Sequence, residues 1–336
     1  MALEILRPGL MTTVQDEGRT QGYALGMPPS GAMDRFGYHV ANALVGNPPG
    51  TAVLECTYLG PEVRFSEATT FAVTGADLPV TLDGEEIQPW ASHRAQAGDV
   101  LAFGFLRSGA RAYIAVAGGI DVEPVMGSRS TYTLCGMGGF QGRALMTGDV
   151  LPVGTDTAGT PGRSLPAGLV PDFAGPAELR VVVGLASYRV TPDSLAAFFE
   201  TEWQVTPDAN RVGYRYRGGA VEWVPRTQPR GAGSDPANVV DIGYPIGAIQ
   251  IPGGTEPIVL LNDAVTGGGY ATIGTIISAD ISVAGQTKTG DVTRFVPVSI
   301  DAALGARQEA RARLAKALEA VEARSDGPAR YGKDRA

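Results

Sequence analysis

The sequence predicts a mainly β protein with a few helices, folded as two lobes, and three observations carry that expectation. Glycine and proline number 46 and 24 among 336 residues and follow no fixed period. That excludes collagen, and it excludes helical bundles, whose elements tolerate little of either residue. Short β-branched or aromatic runs bounded by glycine or proline recur too densely for a doubly wound βαβ sheet. A Gly-Asp pair also precedes a strand-like run three times, at Gly98-Asp99, Gly148-Asp149 and Gly290-Asp291. Turn chemistry accounts for any one copy; three copies across both halves point to related, barrel-like sheets.

The clearest strand runs are 53–58, 100–105, 111–116, 180–183, 258–261 and 293–298. Asp34 is placed to cap a helix over 35–45, with Phe36, Val40 and Leu44 on one face and Gly46 to end it. Thr191-Pro192 is a capping residue followed by proline at the first helical position, with Leu195, Phe198 and Phe199 as the apolar stripe. An Ala/Arg/Glu/Leu-rich helix follows over 301–325, its Leu314, Leu318 and Val321 directed at the barrel or at a partner. The expected organisation is an N-terminal β-rich lobe (1–153), a linker or surface excursion (154–175), a C-terminal β-barrel lobe (176–300), that helix, and a frayed tail (326–336).

A net charge of −8 and a pI of about 4.9 argue against nucleic acid as a partner. Two histidines, His39 and His93, and two cysteines, Cys56 and Cys135, give no metal-ligand spacing. No apolar run has the length of a membrane span, and no signal peptide is visible, so a soluble, cytoplasmic protein is expected. Nucleophilic catalysis finds little support, since G-x-S-x-G is absent and histidine partners are few.

Four polar, glycine-rich segments are candidates for chemistry. The first runs from Thr12-Thr13-Val14-Gln15-Asp16-Glu17-Gly18-Arg19 to Ser30-Gly31-Ala32-Met33-Asp34, where backbone amides could line a pocket and Asp34 either faces it or only caps its helix. The second, Gly127-Ser128-Arg129-Ser130-Thr131 running into Gly136–Arg143, sets hydroxyls and guanidinium groups among glycines, as a carboxylate or phosphate site would, or is a plain glycine-rich loop. It matches no nucleotide fingerprint. The third joins Gln250 to Asn262-Asp263-Ala264-Val265-Thr266-Gly267-Gly268-Gly269-Tyr270, where Asp263 faces a ligand or satisfies turn amides. The fourth, Gln286-Thr287-Lys288-Thr289-Gly290-Asp291, holds one of three lysines.

In this order the four segments resemble the biotin-dependent carboxyltransferase family, also called allophanate hydrolase subunit 2. That family includes chains like the C component of 5-oxoprolinase and the carboxyltransferase domain of urea amidolyase. The resemblance spans 3 to about 300, and Leu6-Arg7-Pro8-Gly9-Leu10, Ala41-Asn42-Ala43-Leu44-Val45-Gly46-Asn47, Leu59-Gly60-Pro61 and Gly118-Gly119-Ile120 extend it. It implies a cyclophilin-like β-barrel architecture and a subunit 1-like partner (allophanate hydrolase subunit 1 or the B component of 5-oxoprolinase), together with the A component. The leading expectation is ATP-dependent hydrolysis of 5-oxoproline to glutamate, the ATP being used by the complex. The alternatives are transfer of CO2 to urea or a related amide from carboxybiotin carried by another protein, and a regulatory protein that antagonises a subunit 1-like kinase inhibitor. No metal is implied.

An amide or lactam beside an anionic group needs donors for the anion and the carbonyl, and a carboxylate to orient or accept a proton. The expected roles are Ser128, Arg129 and Ser130 on the anion, Ser30 and Gly31 lining the pocket, Asp34 and Asp263 as proton acceptors or orienters, and Gln250, Gly268 and Tyr270 positioning substrate. The chain departs from the family pattern Asp-Arg-Gln-Thr-Thr-Gly-Gly-Tyr by carrying Ala264-Val265 after Asp263 and Gly267 in place of the second threonine. Such a loss is expected to weaken anion binding or change the substrate.

Overall fold

Alternating burial along the strands sets the layers. In Ala2–Arg7, Leu3 and Ile5 turn inward while their neighbours stay partly exposed, and Glu62–Phe65 repeats this with Val63 and Phe65. The computed structural model describes residues 1–155, 159–227, 229–231 and 233–323. The expected tail, 326–336, and part of the 154–175 segment lie outside the described residues.

The N-terminal half stacks two antiparallel sheets. One runs in the order Val150–Pro152, Ala2–Arg7, Glu62–Phe65, Val100–Phe103, Val80–Leu82, Glu85–Ile87. The other runs Met11–Gln15, Val53–Thr57, Ser108–Val116, Thr69–Asp77, Ser92–Ala95. Leu3, Ile5, Phe65 and Leu101 of the first pack on Leu54, Phe71, Val73 and Ile114 of the second to form a core. In the C-terminal half, seven strands close into a barrel: Ala177–Val183, Thr272–Ile276, Ala248–Gln250, Ile258–Leu260, Gly213–Arg217, Trp203–Ala209 and Val292–Val298. The last pairs in parallel with the first. Its core is aromatic, with Phe198 stacked on Phe295 at 5.2 Å and the Trp203 indole N–H donating to the Phe198 carbonyl.

The three Gly-Asp pairs are one structural unit built three times. In each the glycine has φ near +90° (Gly98 +95°, Gly148 +88°, Gly290 +91°), which only glycine adopts without strain. The aspartate carboxylate accepts the amide three residues earlier, from Gln96, Met146 or Lys288. The glycine amide and the aspartate carbonyl then clamp a neighbouring strand at Phe65, Ile5 or Val205.

Among the described residues, four α-helices decorate the sheets. α1 (Arg35–Val45) starts on the Asp34 cap and ends at Gly46 in the left-handed conformation, as its sequence predicts. α2 (Pro192–Glu200) starts on the Thr191 cap. α3 (Ile281–Gln286) was not expected from the sequence. α4 (Ile300–Ala323) lays Ala317 and Val321 on the α1 layer of the N-terminal half, and Arg313 sits 5.0 Å over the Phe36 ring. Part of the 154–175 segment packs on the same half, with Leu165 buried beside Trp90. Among the described residues no helix is long and apolar enough to cross a membrane.

Candidate functional site

Charged side chains are rarely buried without partners, so a row of them along one seam marks a site. The row lies where Met11–Gln15, the start of α1 and Val53–Thr57 meet the barrel loops around 211 and 263. Asp16, Arg19, Glu55, Arg111, Arg211 and Asp263 are all buried there.

Asp16 organises the first part. Ser128 Oγ and Ser130 Oγ each donate to its Oδ1 at 2.6 Å, the Gly18 amide donates to the same oxygen, and the Arg129 amide donates to Oδ2. Arg211 organises the second. Its Nε donates to Asp263 Oδ2 at 2.9 Å, its Nη1 to Glu55 Oε1, and its Nη2 to the Gly31 carbonyl. Burial alone would lower the Arg211 pKa; the charges of Asp263 and Glu55 outweigh it and hold the guanidinium firmly protonated. Glu55 Oε2 also accepts from Tyr113 Oη and the Met33 amide, so one carboxylate ties the N-terminal half to a barrel arginine.

A second seam contact lies beside it. Gln286, at the end of α3, accepts the Ala110 and Arg111 amides on Oε1 and donates Nε2 to Asp34 Oδ2 and the Arg111 carbonyl. Arg111 Nη1 donates to Tyr214 Oη and the Gly285 carbonyl of the barrel half. Burial pushes Asp34 above the usual carboxylate range, against the bonds from Gln286 and the Gly37 amide.

Among the described residues, besides Arg111 Nε, which has only the Glu55 carboxylate at 3.6 Å, three side chains along the seam keep polar atoms with no hydrogen-bond partner. These are Arg19 Nε and Nη1, Ser30 Oγ and Asn262 Oδ1. Relative exposures of 1%, 1% and 4% make each costly to leave unpaired. Backbone bonds hold them together: the Arg19 amide donates to the Pro29 carbonyl at 2.7 Å and the Ser30 amide to the Asn262 carbonyl at 3.0 Å. Ser30 has φ +54°, a strained left-handed conformation of the kind retained at functional sites.

The structure brings Ser30, Gly31, Ser128, Ser130 and Asp263 to this seam, and it gives the expected residues partners within the protein. The hydroxyls of Ser128 and Ser130 both donate to Asp16. Arg129 turns its guanidinium outward to Asp121 and the Val122 carbonyl. Both Asp34 oxygens have partners within the protein: Oδ1 caps Phe36 and Gly37, and Oδ2 accepts from Gln286. Gln250 lies in a barrel strand and makes no side-chain hydrogen bond to the seam among the described residues. Gly268 and Tyr270 belong to a two-stranded sheet with Asn238–Gly243. A side chain at 268 would meet the Tyr244 ring at 2.8 Å, and Tyr244 Oη both donates to the Tyr270 carbonyl and accepts its amide. Lys288 pairs with Asp291.

Sequence reasoning assigned no role to Asp16, Arg19, Glu55, Arg211 or Asn262. One signal was available for Glu55, a lone carboxylate inside the strand run 53–58 that had to find a cation. Arg211 carries no local signal.

The match to known chains is extensive. The family described as "Carboxyltransferase domain, subdomain A and B" matches residues 25–297. The urea amidolyase of Saccharomyces cerevisiae is 36% identical over 309 residues, which are 89% of this chain and 17% of that protein. The C component of Escherichia coli 5-oxoprolinase is 38% identical over 309 residues, covering 91% of this chain and 94% of that protein. The crystal structure of Kluyveromyces lactis urea carboxylase superposes with a TM-score of 0.88 at 33% identity, covering 94% of this chain and 29% of that one. This chain thus spans a small part of the urea-processing relatives and nearly all of the 5-oxoprolinase component. With matching sequence, fold and extent, the chain belongs to the carboxyltransferase-domain family, in the part made of subdomains A and B.

Proposed function

We propose that this chain is one subunit of a heteromeric enzyme acting on a cyclic amide. In this reading the enzyme hydrolyses 5-oxoproline to glutamate with ATP, and the chain works beside a subunit 1-like partner and a partner like the A component of 5-oxoprolinase. The observation that carries this reading is the likeness to the E. coli C component, 38% identical over 309 residues. The seam supplies fitting chemistry, since Arg19 offers donors for a carbonyl and Arg211 fixes the orientation of Asp263. It does not fit a triphosphate, because its guanidinium groups already face an equal number of carboxylates. ATP is therefore assigned to the partner chains. Two free cysteines suit a reducing cytoplasm, where we place the complex.

A second reading, carboxyl transfer to a urea-like amide from carboxybiotin on another protein, is favoured by the TM-score of 0.88 with the urea carboxylase. One experiment separates the two: release of ADP and glutamate from ATP and 5-oxoproline by this chain co-expressed with both partners. Product that vanishes when this chain is omitted supports the first reading. An intact complex that makes no glutamate but carboxylates urea with carboxybiotin supports the second.

A further inference from the structure

We propose that the groove between the first turns of α4 and the outer wall of the barrel binds an aliphatic carboxylate, with Arg307 on the carboxylate and the apolar walls on the chain. The inference goes beyond the function proposed above, because none of the buried charged residues of the seam lines this groove.

The groove encloses about 210 Å³, with Val182, Ile276 and Ile277 on the barrel side and Ile300, Leu304 and Arg307 on the helix side. At 3.6 residues per turn those three helix residues fall on one stripe, and Arg307 lies about 10 Å along the axis from Ile300. The stripe runs from apolar to cationic. An extended chain of about eight carbons spans the same length.

This end of α4 is incompletely covered. Ile300 is 66% and Leu304 42% exposed although both face the barrel, whereas Ala317 and Val321, toward the other end of the same helix, are fully buried. Covering the exposed pair with methylene groups is favourable.

Charge selects the head group. Arg307 makes no ion pair or side-chain hydrogen bond among the described residues. The neighbouring Arg180, whose carbonyl accepts the Ile277 amide, is already taken: its Nε and Nη2 donate to the two oxygens of Asp280 at 2.9 and 2.6 Å. One guanidinium without a carboxylate therefore stands at the end of an apolar channel, and it matches a single carboxylate in bidentate fashion. Thr275 and Ser278 add hydroxyls to the same lining. The wall offers no strand edge to an extended peptide, since Val182 pairs with Thr275 in the barrel ladder and the Ile276 and Ile277 amides donate to the Gly247 and Arg180 carbonyls. A methylene chain needs no such partners.

The test is calorimetric titration of the full-length chain with octanoate, 1-octanol and butyrate. Octanoate is expected to bind, with 1-octanol about tenfold weaker for want of the charged hydrogen bond and butyrate at least tenfold weaker for want of four methylene groups. Arg307→Gln, an exposed change, is expected to weaken octanoate about tenfold and to leave 1-octanol within about threefold. Leu304→Ser should weaken both. No octanoate binding, 1-octanol binding as tightly as octanoate, or octanoate affinity unchanged in Arg307→Gln would each overturn the proposal. So would a groove that takes no octanoate in the isolated chain but gains hydrogen-exchange protection over 300–307 when a partner chain is bound, because its occupant would then be a protein.

Discussion

Replacing Arg211 with methionine removes the guanidinium that touches both Glu55 and Asp263. Each carboxylate is at most 1% exposed and neither can reach water without opening the seam. Breaking a buried pair by deleting one partner costs about 3–5 kcal/mol, because it leaves uncompensated charge in low dielectric. For a chain of 336 residues the unfolding entropy is about 0.7 kcal/mol/K, so the melting temperature should fall by about 4–7 °C. Adding Glu55→Gln and Asp263→Asn to Arg211→Met should recover much of the loss at neutral pH. Differential scanning calorimetry at neutral pH is the assay. A loss below about 1 kcal/mol, or no recovery in the triple variant, would refute the claim that Arg211 neutralises both carboxylates.

Three other substitutions test neighbouring parts of the seam. Asp34→Asn should cost about 1–3 kcal/mol, because the new amide faces Gln286 Nε2, and Gln286 cannot turn while its Oε1 holds two amides. Burial raises the Asp34 pKa, so its contribution is complete below about pH 4 and is lost as the pH rises through the folded value; the variant should lack that component when melting is followed against pH. Ser130→Ala strips Asp16 of one 2.6 Å bond and should cost about 1.5–3 kcal/mol by chemical denaturation. Ser30→Gly relieves a left-handed serine and should leave the melting temperature unchanged or raise stability by up to about 1 kcal/mol; a clear drop would mean that the hydroxyl supports the fold.

Local chemistry was legible in the sequence. The Asp34 and Thr191 caps, the glycine ending α1 and the repeated Gly-Asp turn each depend on residues within four positions, and each appears as read. The mainly β class followed from the same turns. The short α3 was hidden because tertiary contacts hold it: Gly285 packs on Met33, and Gln286 binds strand residues 175 positions earlier. The seam was hidden for a similar reason. Arg211 reaches Glu55 across 156 positions and Asp263 across 52, and no window of sequence contains such a pair. The partner of Ser128 and Ser130 was hidden in the same way: hydroxyls among glycines signal that a negative group is bound without saying whose, and here they bind Asp16, 112 to 114 positions upstream.

The Ala264-Val265 departure from the family pattern takes on a different meaning in three dimensions. A guanidinium does stand against Asp263, but it comes from position 211 and arrives with Glu55 already on its other arm. Ala264 is buried against Tyr244, Ala248 and Leu260, while Val265 is more than half exposed. Reintroducing arginine at 264 would therefore overpack that cluster, costing about 1–3 kcal/mol or forcing the loop outward, without reaching a free carboxylate. Val265→Gln should change stability by less than about 0.5 kcal/mol. Melting temperatures of Ala264→Arg and Val265→Gln, with lactam titrations of both, test this. If Ala264→Arg kept full stability and bound 5-oxoproline at least tenfold tighter than 2-pyrrolidinone, the seam would be short of one positive charge after all. The balance of three arginines against three carboxylates would then be the wrong account of what this site selects.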